Sequence, residues 1–149
     1  MKRLAMMIII IFIIQYFIMP PFMVNSITDI TFTLGNAYIS LFMGLLMGLV
    51  EVIMYDMRYN VMSVKYYVGL LIMSAICVYL YRYQIGINDK QYLEEMIEHH
   101  SMALLTSERI VEKTENYDVA ALSKSILQTQ TDEINKMRDI LSKLDHANK

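Results

Sequence analysis

The 149-residue sequence has one cysteine, two prolines, five glycines and no tryptophan, and only 19% of its residues are charged. A single cysteine, Cys77, excludes a disulfide scaffold and any zinc or iron–sulfur site built from several thiolates. The scarcity of proline and glycine leaves little turn chemistry and favours long uninterrupted elements. A soluble domain usually carries about a quarter charged residues, so the low charge speaks against an ordinary water-soluble globule. A net charge of −2 offers no broad surface for nucleic acid, and no nucleic-acid partner is expected. What the chain does have is apolar mass: 56% hydrophobic residues and 14 methionines, which exclude disorder.

The charge is unevenly placed. Residues 1–87 hold five basic groups (Lys2, Arg3, Arg58, Lys65, Arg82) and three acidic ones (Asp29, Glu51, Asp56), whereas residues 88–149 hold eight basic and twelve acidic groups. Near Gly86, one kind of chain gives way to another. The sequence predicts a membrane domain over 1–87 and a helical-hairpin domain over 88–149.

Three apolar runs occupy the first part, with spans expected at about 4–22, 34–55 and 64–82. A membrane helix needs about 20 predominantly apolar residues. The first run could also be read as a signal peptide behind Lys2-Arg3. Its apolar core exceeds the usual ~7–15 residues and no small-x-small cleavage site follows, so an anchor is preferred. Each run could instead be a buried core helix, but so little polar chain cannot cover three of them. Lys2, Arg3, Arg58 and Lys65 place the N-terminus inside and the C-terminal domain outside a cytoplasmic (plasma) membrane, against the weaker pull of Arg82 and Lys90. Tyr55, Tyr59, Tyr66 and Tyr67 then form an inner aromatic belt.

Within the second run, Ser40, Gly44 and Gly48 repeat every four residues as a close-contact face. Met43, Met47 and Glu51 lie on an overlapping face. As a functional set they are soft ligands and a carboxylate on a membrane-embedded metal path. Packing is the favoured reading, with methionine as adaptable filler and Glu51 paired with Arg58 or Lys65.

Residues 88–149 read as two antiparallel helices, the first capped by Asn88 or Asp89 and running to about Lys113, the second capped by Asp118 and running to about Asp145. The first stripe is Leu93, Met96, Ile97, His100, Ala103, Leu104, Ser107 and Val111. The second is Leu122, Ile126, Gln130, Glu133, Met137, Ile140, Leu141 and Leu144. Glu94, Glu95, Glu108, Glu112 and Lys136 read as a solvated face. His100 and Glu133 interrupt the stripes near their centres, and burying them unpaired is costly. Met96, His99 and His100 share a face at i, i+3 and i+4. In register, Glu133 and Met137 stand opposite. Thioethers with imidazoles suit copper(I) or silver(I). The alternative is a His–Glu pair that only fixes helix packing in a structural or interaction protein. A ferritin-like redox enzyme ranks third because the Glu-x-x-His motif of di-iron bundles is absent, so no enzymatic activity is expected. About 60 residues make a marginal core. A homodimer completing a four-helix bundle is therefore expected, supported in the membrane by Ser40, Gly44 and Gly48.

The run Tyr92-Leu93-Glu94-Glu95-Met96-Ile97-Glu98-His99-His100-Ser101-Met102-Ala103 resembles the Met-Ile-Pro-His-His signature of the domain of unknown function 305 family. Gln130-Thr131-Asp132-Glu133-Ile134-Asn135-Lys136-Met137 is similar to its Gln-x-x-Glu-Ile-x-x-Met helix. Leu104-Leu105-Thr106-Ser107-Glu108-Arg109 and the stretch Tyr38 to Met47 resemble the version with three N-terminal membrane helices. The resemblance implies an all-α, ferritin-like fold, with some members linked to copper binding or to copper and silver tolerance outside the cytoplasmic membrane. It implies metal-site positions at Met96, His99, His100, Met137 and Glu133. Glu98 departs from the family's proline.

Overall fold

The computed structural model describes residues 2–147, without the side chains of Lys2 and Ala147. Lys2, one of the basic residues used for orientation, has its side chain outside that description. Among the described residues there are six helices and no strand: α1 (Lys2–Ile13), α2 (Pro20–Met23), α3 (Leu34–Tyr59), α4 (Val64–Arg82), α5 (Asp89–Lys113) and α6 (Tyr117–Ala147). The apolar run of α1 continues through a π turn, Ile14–Ile18, and ends at Pro20-Pro21, whose nitrogens carry no hydrogen to continue the helical hydrogen bonds.

The chain forms two compact units. Residues 1–19 and 34–87 make the first, and residues 20–33 and 88–149 the second. The segment 20–33, assigned on sequence to the membrane domain, thus belongs to the hairpin unit.

In the first unit α3 is the central helix, packed by α1 and by α4. Its small residues explain how closely α1 approaches. A Cβ on Gly44 would stand 2.9 Å from the Ile8 carbonyl oxygen, and one on Gly48 would stand 3.1 Å from the end of the Ile8 side chain. Ser40 in the same row is buried, its hydroxyl donating to the Asn36 carbonyl at 2.7 Å. The face expected to support a dimer is therefore occupied inside the chain, by α1. Leu45, Val52, Leu70 and Cys77 form the core between the helices. At the α3–α4 turn, Asp56 is buried and accepts from both the amide and the hydroxyl of Ser63, each at 2.7 Å.

Large apolar side chains remain on the outside of this unit, including Ile9, Ile10, Val50, Ile53, Leu71 and Ile72. The 26-residue α3 and the 19-residue α4 are long and apolar enough to cross a membrane, while the apolar helix Arg3–Ile18 is shorter. At 1.5 Å per residue, α4 spans roughly 28 Å, close to the ~30 Å hydrocarbon core.

In the second unit α5 and α6 are antiparallel: Lys90 near the start of α5 pairs with Asp145 near the end of α6 at 2.8 Å. Asn88 caps α5, its side chain accepting from the Gln91 amide at 2.9 Å. Asn116, and not the expected Asp118, caps α6 by accepting from the Val119 amide at 3.0 Å. The apolar core is thin. Among the described residues its buried hydrophobics are Val24, Ile97 and Ile134, beside buried Ser101, Ser107 and Ser123.

Candidate functional site

His100 projects from the middle of α5 toward α6, one turn after Met96. Its Nδ1 lies 2.7 Å from the Met96 carbonyl oxygen. A carbonyl only accepts, so Nδ1 carries the hydrogen and donates it. Nε2 then points across the hairpin and stands 2.9 Å from Glu133 Oε2. The His100 side chain is 13% exposed and that of Glu133 49%. The expected register of the hairpin is met at this pair. Met96 and Met137 are half-buried, Met137 one turn beyond Glu133 on α6. His99 is exposed, its ring centroid 6.3 Å from that of His100. Among the described residues, no three His, Cys, Asp or Glu side chains are placed to hold a metal ion. Of the five positions, the structure joins His100 to Glu133, and to Met96 through its carbonyl. It leaves His99 at the surface. A cation here would need the sulfurs of Met96 and Met137 as well as His100 Nε2.

The stripe on α6 is rotated from its expected position. Ile134 is 3% exposed and forms the inner face, with Glu133 beside it at the edge. Leu122 and Ile140, expected inside, are exposed. Each residue turns the helix by about 100°, so a one-position change in the stripe's centre moves its flanking members to the surface.

The polar groups that hold this unit together involve residues that periodicity does not single out. Asp29, in a 3₁₀ turn of the 20–33 segment, is buried. It accepts from the Ser101 hydroxyl of α5 at 2.7 Å and from the guanidinium of Arg138 on α6. Ser101 is fully buried and its hydroxyl oxygen also accepts from the Asn25 amide at 3.0 Å. Glu98, 3% exposed, accepts from both the amide and the hydroxyl of Thr31 at 2.8 Å. Thr33 donates to Glu95 at 3.4 Å, so Glu95 faces this segment and does not belong to the solvated face. A buried carboxylate is stable only when its oxygens are satisfied. Here both buried carboxylates are satisfied by joining the segment to the hairpin. On sequence, Glu98 stands out only as a departure from the proline of the signature it resembles, and its carboxylate holds Thr31 of the 20–33 segment.

Lys90 has its pKa raised above the usual lysine value, chiefly by its hydrogen bond to Asp145 and by that carboxylate's charge.

In the first unit, Met43 and Met47 are exposed on α3, and Glu51 lines a cleft that also contains Arg3 and Arg58. The expected ion pair of Glu51 with Arg58 or Lys65 is absent among the described residues. The guanidinium of Arg58 instead lies 5.8 Å from the ring centre of Tyr59.

Residues 82–148 match the family model described as Domain of unknown function (DUF305). Along its length the chain is similar to an uncharacterized protein of Acanthamoeba polyphaga mimivirus, 34% identical over 150 residues, a match covering 99% of this chain and 97% of that relative. No solved structure matches it. The family domain lies on α5 and α6, with the His100–Glu133 bridge inside it, and the full-length likeness extends through the helices before it: the chain belongs to the DUF305 family.

Proposed function

We propose that this protein is a membrane-anchored carrier of a soft metal cation, copper(I) or silver(I), held by the hairpin for sequestration or tolerance and not for catalysis. The observation that carries the reading is the tether on His100. Nδ1 donates to the Met96 carbonyl, which aims Nε2 across the hairpin as the ligand atom once it gives up the proton it shares with Glu133, the arrangement by which metal-binding imidazoles are commonly oriented. Met96 and Met137 supply the thioethers that suit such a cation. As the ion binds, Glu133 gives up its contact with Nε2, the proton of that contact passes to solvent, and His99 closes the site from the surface.

The apolar outsides of α1, α3 and α4 support three membrane spans, α1 extended through its π turn, with the N-terminus inside and the hairpin outside a plasma membrane. A second copy completes a four-helix, ferritin-like bundle. In support, Val119, Leu122 and Ile140 leave apolar surface on α6 exposed. Because Gly44 and Gly48 are taken by Ile8, that dimer forms through the hairpins and not through the α3 glycine face.

A second reading is favoured by the 2.9 Å contact itself: with Glu133 filling the Nε2 position, the pair fixes helix register in a structural or interaction protein. Titration of the full chain in detergent with silver(I), against a competing chelator, separates the two. Metal carriage predicts one site per chain, lost in His100→Ala and weakened in the Met96→Leu/Met137→Leu pair. The structural reading predicts no uptake by the wild type and a lower melting temperature for His100→Ala.

A further inference from the structure

The first unit contains a cleft of about 790 Å³ whose chemistry the metal reading does not use. It is lined by the beginning of α1, the last turns of α3, and the start of α4 with the turn before it. Arg3 and Arg58, from different helices, both line it, together with apolar Leu4 and Val52 and with Tyr55 and Tyr66. Glu51 is the single carboxylate of the lining, and neither arginine forms an ion pair with it among the described residues. Two cations facing one cleft, with one unpaired carboxylate beside them, leave a site with an excess of one positive charge.

We infer that this cleft binds the headgroup of one anionic phospholipid, its phosphate between Arg3 and Arg58 and the start of an acyl chain along Leu4 and Val52. The inference rests on the membrane reading above. Guanidinium groups present paired donors that match phosphate oxygens. Basic pockets between membrane helices at the cytoplasmic interface are suited to anionic headgroups, and tyrosines favour that same depth. A volume of this size accommodates a headgroup and the first part of its chains. Glu51 accepts a hydrogen bond from a hydroxyl or ammonium on the headgroup, so a lipid bearing such a donor is preferred over phosphatidic acid. Free phosphate would satisfy the arginines but would make no use of the apolar wall.

The test is lipid retention by the full chain. The protein is reconstituted with mixed phosphatidylglycerol and phosphatidylcholine, re-extracted in mild detergent and weighed by native mass spectrometry. The expected result is one phosphatidylglycerol per chain, not displaced by millimolar inorganic phosphate and reduced about tenfold or more in Arg3→Gln/Arg58→Gln. Equal retention by the variant, equal retention of phosphatidylcholine, or displacement by inorganic phosphate overturns the inference. Should the double variant lose helical content, Arg58→Gln alone, on an exposed side chain, carries the test. Alkaline carbonate extraction of cell membranes is run in parallel. Release of the wild type into the supernatant defeats the membrane reading and this inference together, whereas a firmly embedded chain with no selective lipid defeats only the cleft.

Discussion

Around α3, the closest packing is apolar: Ile8 of α1 lies against Gly44 and Gly48, and hydrophobic side chains are left facing outward. Around α5, the deepest contacts are polar: Asp29, Ser101 and Glu98 are buried, and the charged surface faces outward. In the first unit shape decides which helices meet, because small residues let a backbone approach. In the second, hydrogen-bond satisfaction decides, because the three buried hydrophobics among the described residues are too few to hold two long helices and a segment by themselves. One short chain thus uses two different sources of specificity, each matched to the apolar content of its own sequence.

Asp29→Ala attacks the second unit at its centre and carries the largest expected effect. It leaves the Ser101 hydroxyl buried without its acceptor and removes the ion-pair partner of Arg138. Breaking a fully buried pair costs about 3–5 kcal/mol. Because the Arg138 side chain is 48% exposed, about 2–3 kcal/mol is expected here. Amide hydrogen exchange of the full chain should show Asn25 and Thr31 losing protection while α3 and α4 keep theirs. Uniform loss in both units would contradict the division. Gly44→Leu is the matching test of the first unit. The added side chain meets the Ile8 backbone, and overpacking of this kind costs about 1–3 kcal/mol. Its expected signature is lost protection in α1 with the Asp29 contacts intact.

Glu98→Ala, which keeps the helix, should take the carboxylate away from the Thr31 amide and hydroxyl. Losing these hydrogen bonds to a charged acceptor costs about 1–2 kcal/mol, read as a lower melting temperature and faster exchange at Thr31. The smallest effect is at the open end of the hairpin. Because the Lys90 pKa is raised, its contribution is complete below the ordinary lysine range and is lost as pH rises through the folded value. NMR should record fraying of the last turn of α6 only at strongly alkaline pH, and Lys90→Met should abolish that dependence.

Much of this architecture is legible in the sequence. The runs that become α3 and α4, the Asn88 cap and the antiparallel hairpin follow from apolar content, cap chemistry and a short polar connection. The facing of His100 and Glu133 follows from register. The place of segment 20–33 does not, because it has no helical or strand period and its partners lie far along the chain: Ser101 is 72 positions from Asp29, and Arg138 is 109. Counting stripes also misplaces the centre of α6 by one residue. Polar Gln130 and Glu133 obscure which side faces inward, and only packing against α5 selects Ile134. Small residues at Ser40, Gly44 and Gly48 mark a close contact, but spacing does not say whether the partner is a second copy or the chain's own first helix.

Carriage of a soft cation requires that His100 Nε2 and the sulfurs of Met96 and Met137 converge on it. Methionine-methyl and histidine-ring NMR of the full chain during silver(I) addition tests it most directly. The first equivalent is expected to shift Met96, Met137 and the His100 ring, and to leave Met57 and Met62, which are 80% and 81% exposed, unchanged. A first equivalent that moves Met57 and Met62, with the His100 signals still, would contradict it.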